Sequence, residues 1–268
     1  MRYCGIDVSA KAGNQQLCTL EERPGPDGHE LLATFYEPGT AAQIARTIRG
    51  FGASEAVVAI DAPSGHRLDL LAPGEPLRER FGLKPGRYER SRVCDMLLFR
   101  RKLPLYPVPS ASEALTEWQS WMSVGFDLYE ALAPLGLFRP EPDGGADDTC
   151  EGPIGAGDLR FGRLAETYPD AVFCALLGHR PPNKRTPSGL QQRIAALKLK
   201  GIVDPDGGLW HRSLDELDAC AAAFAAYGLA AGLGSWVGVP REGVVVLPVA
   251  RLLDRYDPLP PPERAPLA

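Results

Sequence analysis

The chain opens on a continuous apolar run, Tyr3-Cys4-Gly5-Ile6, that stops at Asp7. A second run of the same kind, Ala56-Val57-Val58-Ala59-Ile60, stops at Asp61. Runs without alternation, bounded by turn residues, predict strands covered on both faces. Between them, 15–20 and 31–36 read as two further strands joined across Arg23-Pro24-Gly25-Pro26-Asp27-Gly28, a strong turn sequence. Thr40 then caps a helix reaching about Arg49, with Ala41, Ile44, Ala45 and Ile48 on one face. Past 158, the stretch 159–167 predicts a strand ending in Glu166-Thr167-Tyr168-Pro169. Ser188 with Gln191 forms a capping box for a helix through Leu190, Ile194 and Leu197 that stops at Gly201. Ser213 with Glu216 forms another, opening an alanine-rich helix from Leu214 to about Leu229, whose small residues let it lie close against a sheet. Residues 244–247 are a last short strand or hairpin arm, and the Pro-rich 257–268 is expected to be disordered.

Strand, hairpin, helix and buried strand, in that order, make the opening half of a ribonuclease-H-like fold. The expected class is therefore α/β, a ribonuclease-H-like mixed sheet flanked by helices. Residues 64 to about 158 do not fit that core and read as a large insertion after the fourth core strand, within a single domain spanning 1–256. Inside the insertion, 84–102 carries seven basic residues against two acidic ones. Ser110 and Glu113 form a capping box for a helix bearing Ala114, Leu115, Trp118, Trp121 and Met122. At that spacing the two tryptophans read as core rather than as a base-stacking platform. The stretch 141–151 holds five acids and no base, and is expected to be a mobile loop.

Composition narrows the classes. In 268 residues, 44% are hydrophobic and 24% charged, the profile of a soluble globular protein. The net charge of −5 argues against nonspecific duplex binding by bulk charge, while a local basic groove beside an acidic site is still allowed. Six cysteines without Cys-x-x-Cys spacing, several in apolar runs, read as reduced core residues. Four scattered histidines give no zinc-binding pair. Asp7 interrupts any N-terminal apolar leader and no apolar run approaches 18 residues, so the expectation is a soluble, cytoplasmic protein without membrane contact.

The chemistry-bearing residues are carboxylates. A lone strand-end aspartate is more often a turn residue, but two on buried strands point to a site at the carboxyl edge of the sheet. Asp215 and Asp218, three apart on one helix, share a face. Asp215 suits the positive end of the helix dipole. Asp218 lies beyond the first turn among alanines, where a carboxylate is costly unless paired or bound to metal. Glu166 ends a strand as Asp61 does. Several carboxylates converging on one point are what phosphoryl transfer with Mg²⁺ or Mn²⁺ needs. Lys11, Arg87, Arg90, Arg92, Arg100 and Arg101 are the candidate substrate-binding cations, although Arg92 and Asp95 can instead pair at i,i+3. Ser9, Ser64 and His66 form no credible nucleophilic triad.

These residues resemble the domain-of-unknown-function family 429, described as predicted nucleases with a ribonuclease-H fold. The resemblance rests on Gly5-Ile6-Asp7, Ala59-Ile60-Asp61-Ala62-Pro63, Arg92-x-Cys94-Asp95, Tyr106-Pro107, Glu166-Thr167-Tyr168-Pro169, Lys198-x-Lys200-Gly201 and Asp215-x-x-Asp218-Ala219, in that order over most of the chain. It implies a five-stranded mixed sheet and a divalent-metal site from Asp7, Asp61 and the acid of the C-terminal helix. The layout is also similar to that of Holliday-junction resolvases, which implies a possible homodimer; Asp rather than Glu at 61 and the large insertion depart from it. The expected function is Mg²⁺- or Mn²⁺-dependent phosphodiester hydrolysis of nucleic acid. Asp7, Asp61, Asp218, Asp215 and Glu166 would be catalytic, with Asp7, Asp61 and Asp218 holding metal. The alternatives are an actin-like or sugar-kinase-like phosphotransferase, for which Asp206-Gly207-Gly208 is a poor nucleotide-binding turn, and a catalytically inactive nucleic-acid or protein binding module.

Overall fold

The computed structural model describes residues 1–25, 28–52, 55–103, 105–137, 150–156 and 162–260. In chain order its elements are β1 (Arg2–Asp7), β2 (Gln16–Gly25), β3 (Gly28–Phe35), α1 (Ala41–Phe51), β4 (Ala56–Asp61), α2 (Pro76–Arg80), α3 (Val93–Arg100) and α4 (Ser120–Leu132). They continue as β5 (Glu151–Pro153), β6 (Leu164–Glu166), α5 (Pro169–Leu177), α6 (Pro187–Leu199), β7 (Ile202–Val203), α7 (Leu214–Ala231), β8 (Ser235–Val239) and β9 (Gly243–Leu247). The strands form one mixed sheet in the order β5-β8-β9-β6-β4-β1-β2-β3-β7. The β1–β2–β3 meander is antiparallel, and β1, β4, β6 and β9 run parallel at its centre.

Both faces of the central strands are covered, which is why β1 and β4 lack hydrophobic alternation. Side chains of a strand point alternately to its two faces. Tyr3, Val57 and Ala59 pack in one core with α3, α5 and α7. Cys4, Ile6, Val58 and Ile60 pack in the other with α1 and Leu128, Tyr129 and Leu132 of α4. All six cysteines are buried and unbridged. Among the described residues no helix is long and apolar enough to cross a membrane.

The capping predictions hold at Thr40 and Ser213, where each side chain accepts a backbone N–H of the first turn. Two others shift. Helix α6 is capped by Thr186, ahead of Pro187 at its first position, not by Ser188. The Ser110 amide donates to the Glu113 carboxylate, but the Glu113 amide donates to the Ser110 carbonyl rather than its hydroxyl, and no helix follows. Arg67 and Arg90 both hold the Glu113 carboxylate and fix that segment as a turn. The helix starts later, at the Thr116–Gln119 capping box.

The described parts of the 64–158 stretch are built into the fold. Its α3 packs on β8, its α4 on α1, and its β5 forms one edge of the sheet. Glu151, expected in a mobile acidic loop, is therefore a strand residue, whereas 141–149 lie outside the described residues. Of the strand expected over 159–167, only β6 is formed among the described residues. The Pro-rich tail, expected to be disordered over 257–268, begins ordered: the Arg180 amide donates to the Asp257 carbonyl, and Arg180 pairs with Pro258. Residues 261–268 lie outside the described residues.

Candidate functional site

The site is set by strand register. In the parallel β1–β4 pair, Asp7 stands directly opposite Asp61 at the carboxyl ends. The two-residue period places Asp7 on the same face as Tyr3 and Gly5, and Asp61 on that of Val57 and Ala59. That face carries α7. A Cβ on Gly5 would sit 2.0 Å from both the Ala219 carbonyl and the Ala223 amide, so the strand and the helix backbones touch there. Only a residue without a side chain in the strand, against alanines in the helix, permits this approach. The contact brings the start of α7, with Asp215 and Asp218, beside the two strand ends.

Asp7 and Asp61 line a cleft of about 530 Å³ together with Glu166, Asp170, Lys184 and Asp215, while Asp218 is buried behind that lining. Asp7 and Asp61 lie within hydrogen-bonding reach of one another. Burial, followed by the charges of Asp218 and Asp215, pushes the Asp7 carboxyl up to about 7. Burial, followed by the charge of Asp7, holds Asp61 well above the usual carboxylate range. Asp218 is also raised by burial, against the opposing pull of Lys184, whose Nζ donates to Asp218 Oδ2 at 2.5 Å. Although burial works against the Lys184 charge, the Asp218 carboxylate keeps this ammonium's pKa above the ordinary lysine value.

Glu166 reaches the same sheet edge, in register with Ile60, but it is already engaged. Arg92, buried to 1% exposure, donates two bonds to Glu166 at 2.9 and 2.6 Å and three to Asp95, two from its side chain at 3.1 and 2.9 Å. The Ser64 amide donates to Glu166 as well. Arg92 is thus no surface cation for a strand of nucleic acid, and Glu166 is no free ligand: together they tie the 64–95 stretch to the sheet. Glu242 does the same nearby, accepting from the Leu68 and Val93 amides.

The other predicted cations lie elsewhere. Arg87 lies over the Tyr88 ring, Arg90 bonds Glu113, Arg100 is exposed on α3, and Arg101 bonds Glu151 in a separate cleft. None of these four lines the carboxylate cleft. Lys11 is exposed one residue beyond Ala10, which does line it. The sequence reading missed Lys184, a loop lysine with no periodic signal around it. It also misplaced Trp118. Trp118 and Tyr106 are each 54% exposed and line the cleft together with the half-buried Trp121, so Trp118 is not core.

Among the described residues no three of His, Cys, Asp and Glu converge closely enough to count as a ready-made metal cage. The donor set nonetheless suits a hard divalent cation. Asp7 and Asp61 are adjacent carboxyls with the Lys184 ammonium, already taken by Asp218, as the nearby countercharge.

The sequence model of the family described as protein of unknown function (DUF429) matches residues 5–242. No curated protein and no solved structure matches the chain.

Proposed function

The chain belongs to the DUF429 family, and from that footing we propose that it hydrolyses phosphodiester bonds of nucleic acid with Mg²⁺ or Mn²⁺ held at the carboxyl ends of β1 and β4. The single observation carrying this reading is the register pairing of Asp7 with Asp61 beneath an open cleft, with Asp218 delivered beside them by α7. The strand order β3-β2-β1-β4-β6, antiparallel then parallel, supports assigning the centre of the sheet to the ribonuclease-H-like class.

Asp7 and Asp61 would hold the cation. Bound there, it supplies positive charge against phosphate oxygens and a hydroxide-like nucleophile at neutral pH. Lys184 plays two parts. It neutralises Asp218 while the site is empty of phosphate, and it can turn to an incoming phosphate as a point charge. Asp215, exposed at the first turn of α7, faces the same cleft and sets its negative potential.

One observation favours a second reading, a binding module without turnover. The Lys184–Asp218 pair already places a cation beside the carboxylates. Cleavage of a panel of single-stranded, duplex, hybrid and branched nucleic acids, with and without Mn²⁺, separates the two. Metal-dependent cutting that disappears in Asp7→Asn is the expected result. Uncut substrates throughout would leave the binding module.

A further inference from the structure

Part of the lining of the cleft is aromatic. Tyr106 and Trp118 stand with ring centroids 6.1 Å apart, and Tyr106 and Trp121 with centroids 5.6 Å apart at a near-perpendicular 70°. Large aromatic side chains normally bury their area, yet Tyr106 and Trp118 each leave more than half of theirs exposed. Tilted and edge-on packing leaves ring faces open that a stacked pair would cover. Leu105, Val108 and Met122 add apolar residues to the same lining, which also carries the acids.

The aromatic part of the lining is held in place. The Gln119 side chain donates to the Pro107 carbonyl at 2.9 Å and accepts from Thr116, tying the 106–108 segment to the start of α4. A Cβ on Gly125 of α4 would lie 2.5 Å from the Ala62 side chain, so α4 is seated directly on the residue after Asp61. The aromatic residues are therefore joined through α4 to the residue that follows Asp61.

We propose that Tyr106, Trp118 and Trp121 form a stacking platform for an unpaired nucleobase, so that the substrate class is single-stranded nucleic acid or a strand whose bases are splayed apart. The proposal rests on the phosphodiester reading above and narrows it. Bases offer faces to aromatic rings only when unstacked, which paired bases inside a duplex are not. A cleft of this volume admits a nucleotide-sized group. Its polarity matches one: base against the aromatic rings, phosphate toward the carboxylates, with Lys184 on the lining and Lys11 beside it.

The test uses the full chain with EDTA, and again with Ca²⁺, and a labelled oligothymidylate or oligouridylate against a hairpin duplex. Tryptophan fluorescence and probe anisotropy are both read. The expected result is quenching by both single strands, weaker binding of the hairpin, and a loss of roughly tenfold to a hundredfold in single-strand affinity for Trp118→Ala. Trp118→Phe should recover most of it, and the melting temperature of either variant should match the parent, because the side chain is exposed. Equal binding of hairpin and single strand, unchanged binding by both Trp118→Ala and Tyr106→Ala, or no binding of any probe would overturn the platform. Mn²⁺-dependent cutting that ignores both aromatic variants would also overturn it while sparing the phosphodiester reading. Aromatic-dependent binding without cutting in Mn²⁺ would support the platform and overturn the phosphodiester reading instead.

Discussion

Asp7 is the residue on which most consequences turn. Its carboxyl, pushed up to about 7 in the folded protein, stands above the unfolded value of about 3.9. Between those two pH values the folded state holds the extra proton. The stability that this group contributes is therefore present below about pH 4 and lost as pH rises through about 7. Metal-free protein should melt at progressively lower temperature from pH 5 to pH 8, and Asp7→Asn should flatten that slope and raise the melting temperature at pH 8. A steeper slope in the variant would refute the assignment of cause. Lys184 gives a second test. Lys184→Ala leaves the Asp218 carboxylate buried without its partner, and unfolding in denaturant should show a loss of about 1–3 kcal/mol, reduced when Mn²⁺ is added. The acids of this site were legible because hydrophobic strands that stop at a carboxylate are an unusual pattern. Lys184 was not, since one lysine in a Pro-Pro-Asn-Lys-Arg loop looks like any exposed lysine until the fold brings Asp218 to it.

At the scale of elements, the contact between β1 and α7 decides whether the site exists. Gly5→Ala should force the helix away from the strand, cost about 1–3 kcal/mol or more as overpacking does, and weaken Mn²⁺ binding although no carboxylate is touched. Calorimetric melting of the variant checks the first effect and metal titration the second. The Arg92 knot makes the opposite kind of prediction. Arg92→Met strands Glu166 and Asp95 as buried, unpaired charges, and should destabilise by about 3–5 kcal/mol. Arg92→Lys should rescue little, because an ammonium cannot fork to both carboxylates. The long helices and covered strands could be read in advance because apolar periodicity and caps are local signals, as Thr40 and Ser213 illustrate. Glu113 could not. Its capping-box pattern was present, but Arg67 and Arg90, distant in sequence, claim the carboxylate and keep 110–113 a turn. The exposure of Trp118 followed from the same shift, since the helix begins at the later cap and presents that ring to the cleft.

For the molecule as a whole, the long stretch after β4 is what turns a sheet edge into a cleft. It is knotted to the sheet by Arg92 and Glu242, contributes an edge strand, and adds aromatic rings to the lining of the carboxylate cleft. Its charge excess suggested a phosphate-binding face, but the arginines of 87–101 are spent on internal partners or lie away from the cleft, so local composition was a poor guide to placement. The proposed chemistry requires two carboxylates from adjacent parallel strands to act as one divalent-cation site. Calorimetric titration of Mn²⁺ into the full chain and into Asp7→Asn and Asp61→Asn tests it most directly. Saturable binding in the parent, lost in both variants while each remains folded, is the result expected. Undiminished Mn²⁺ binding in both variants, or none in the parent, would contradict it.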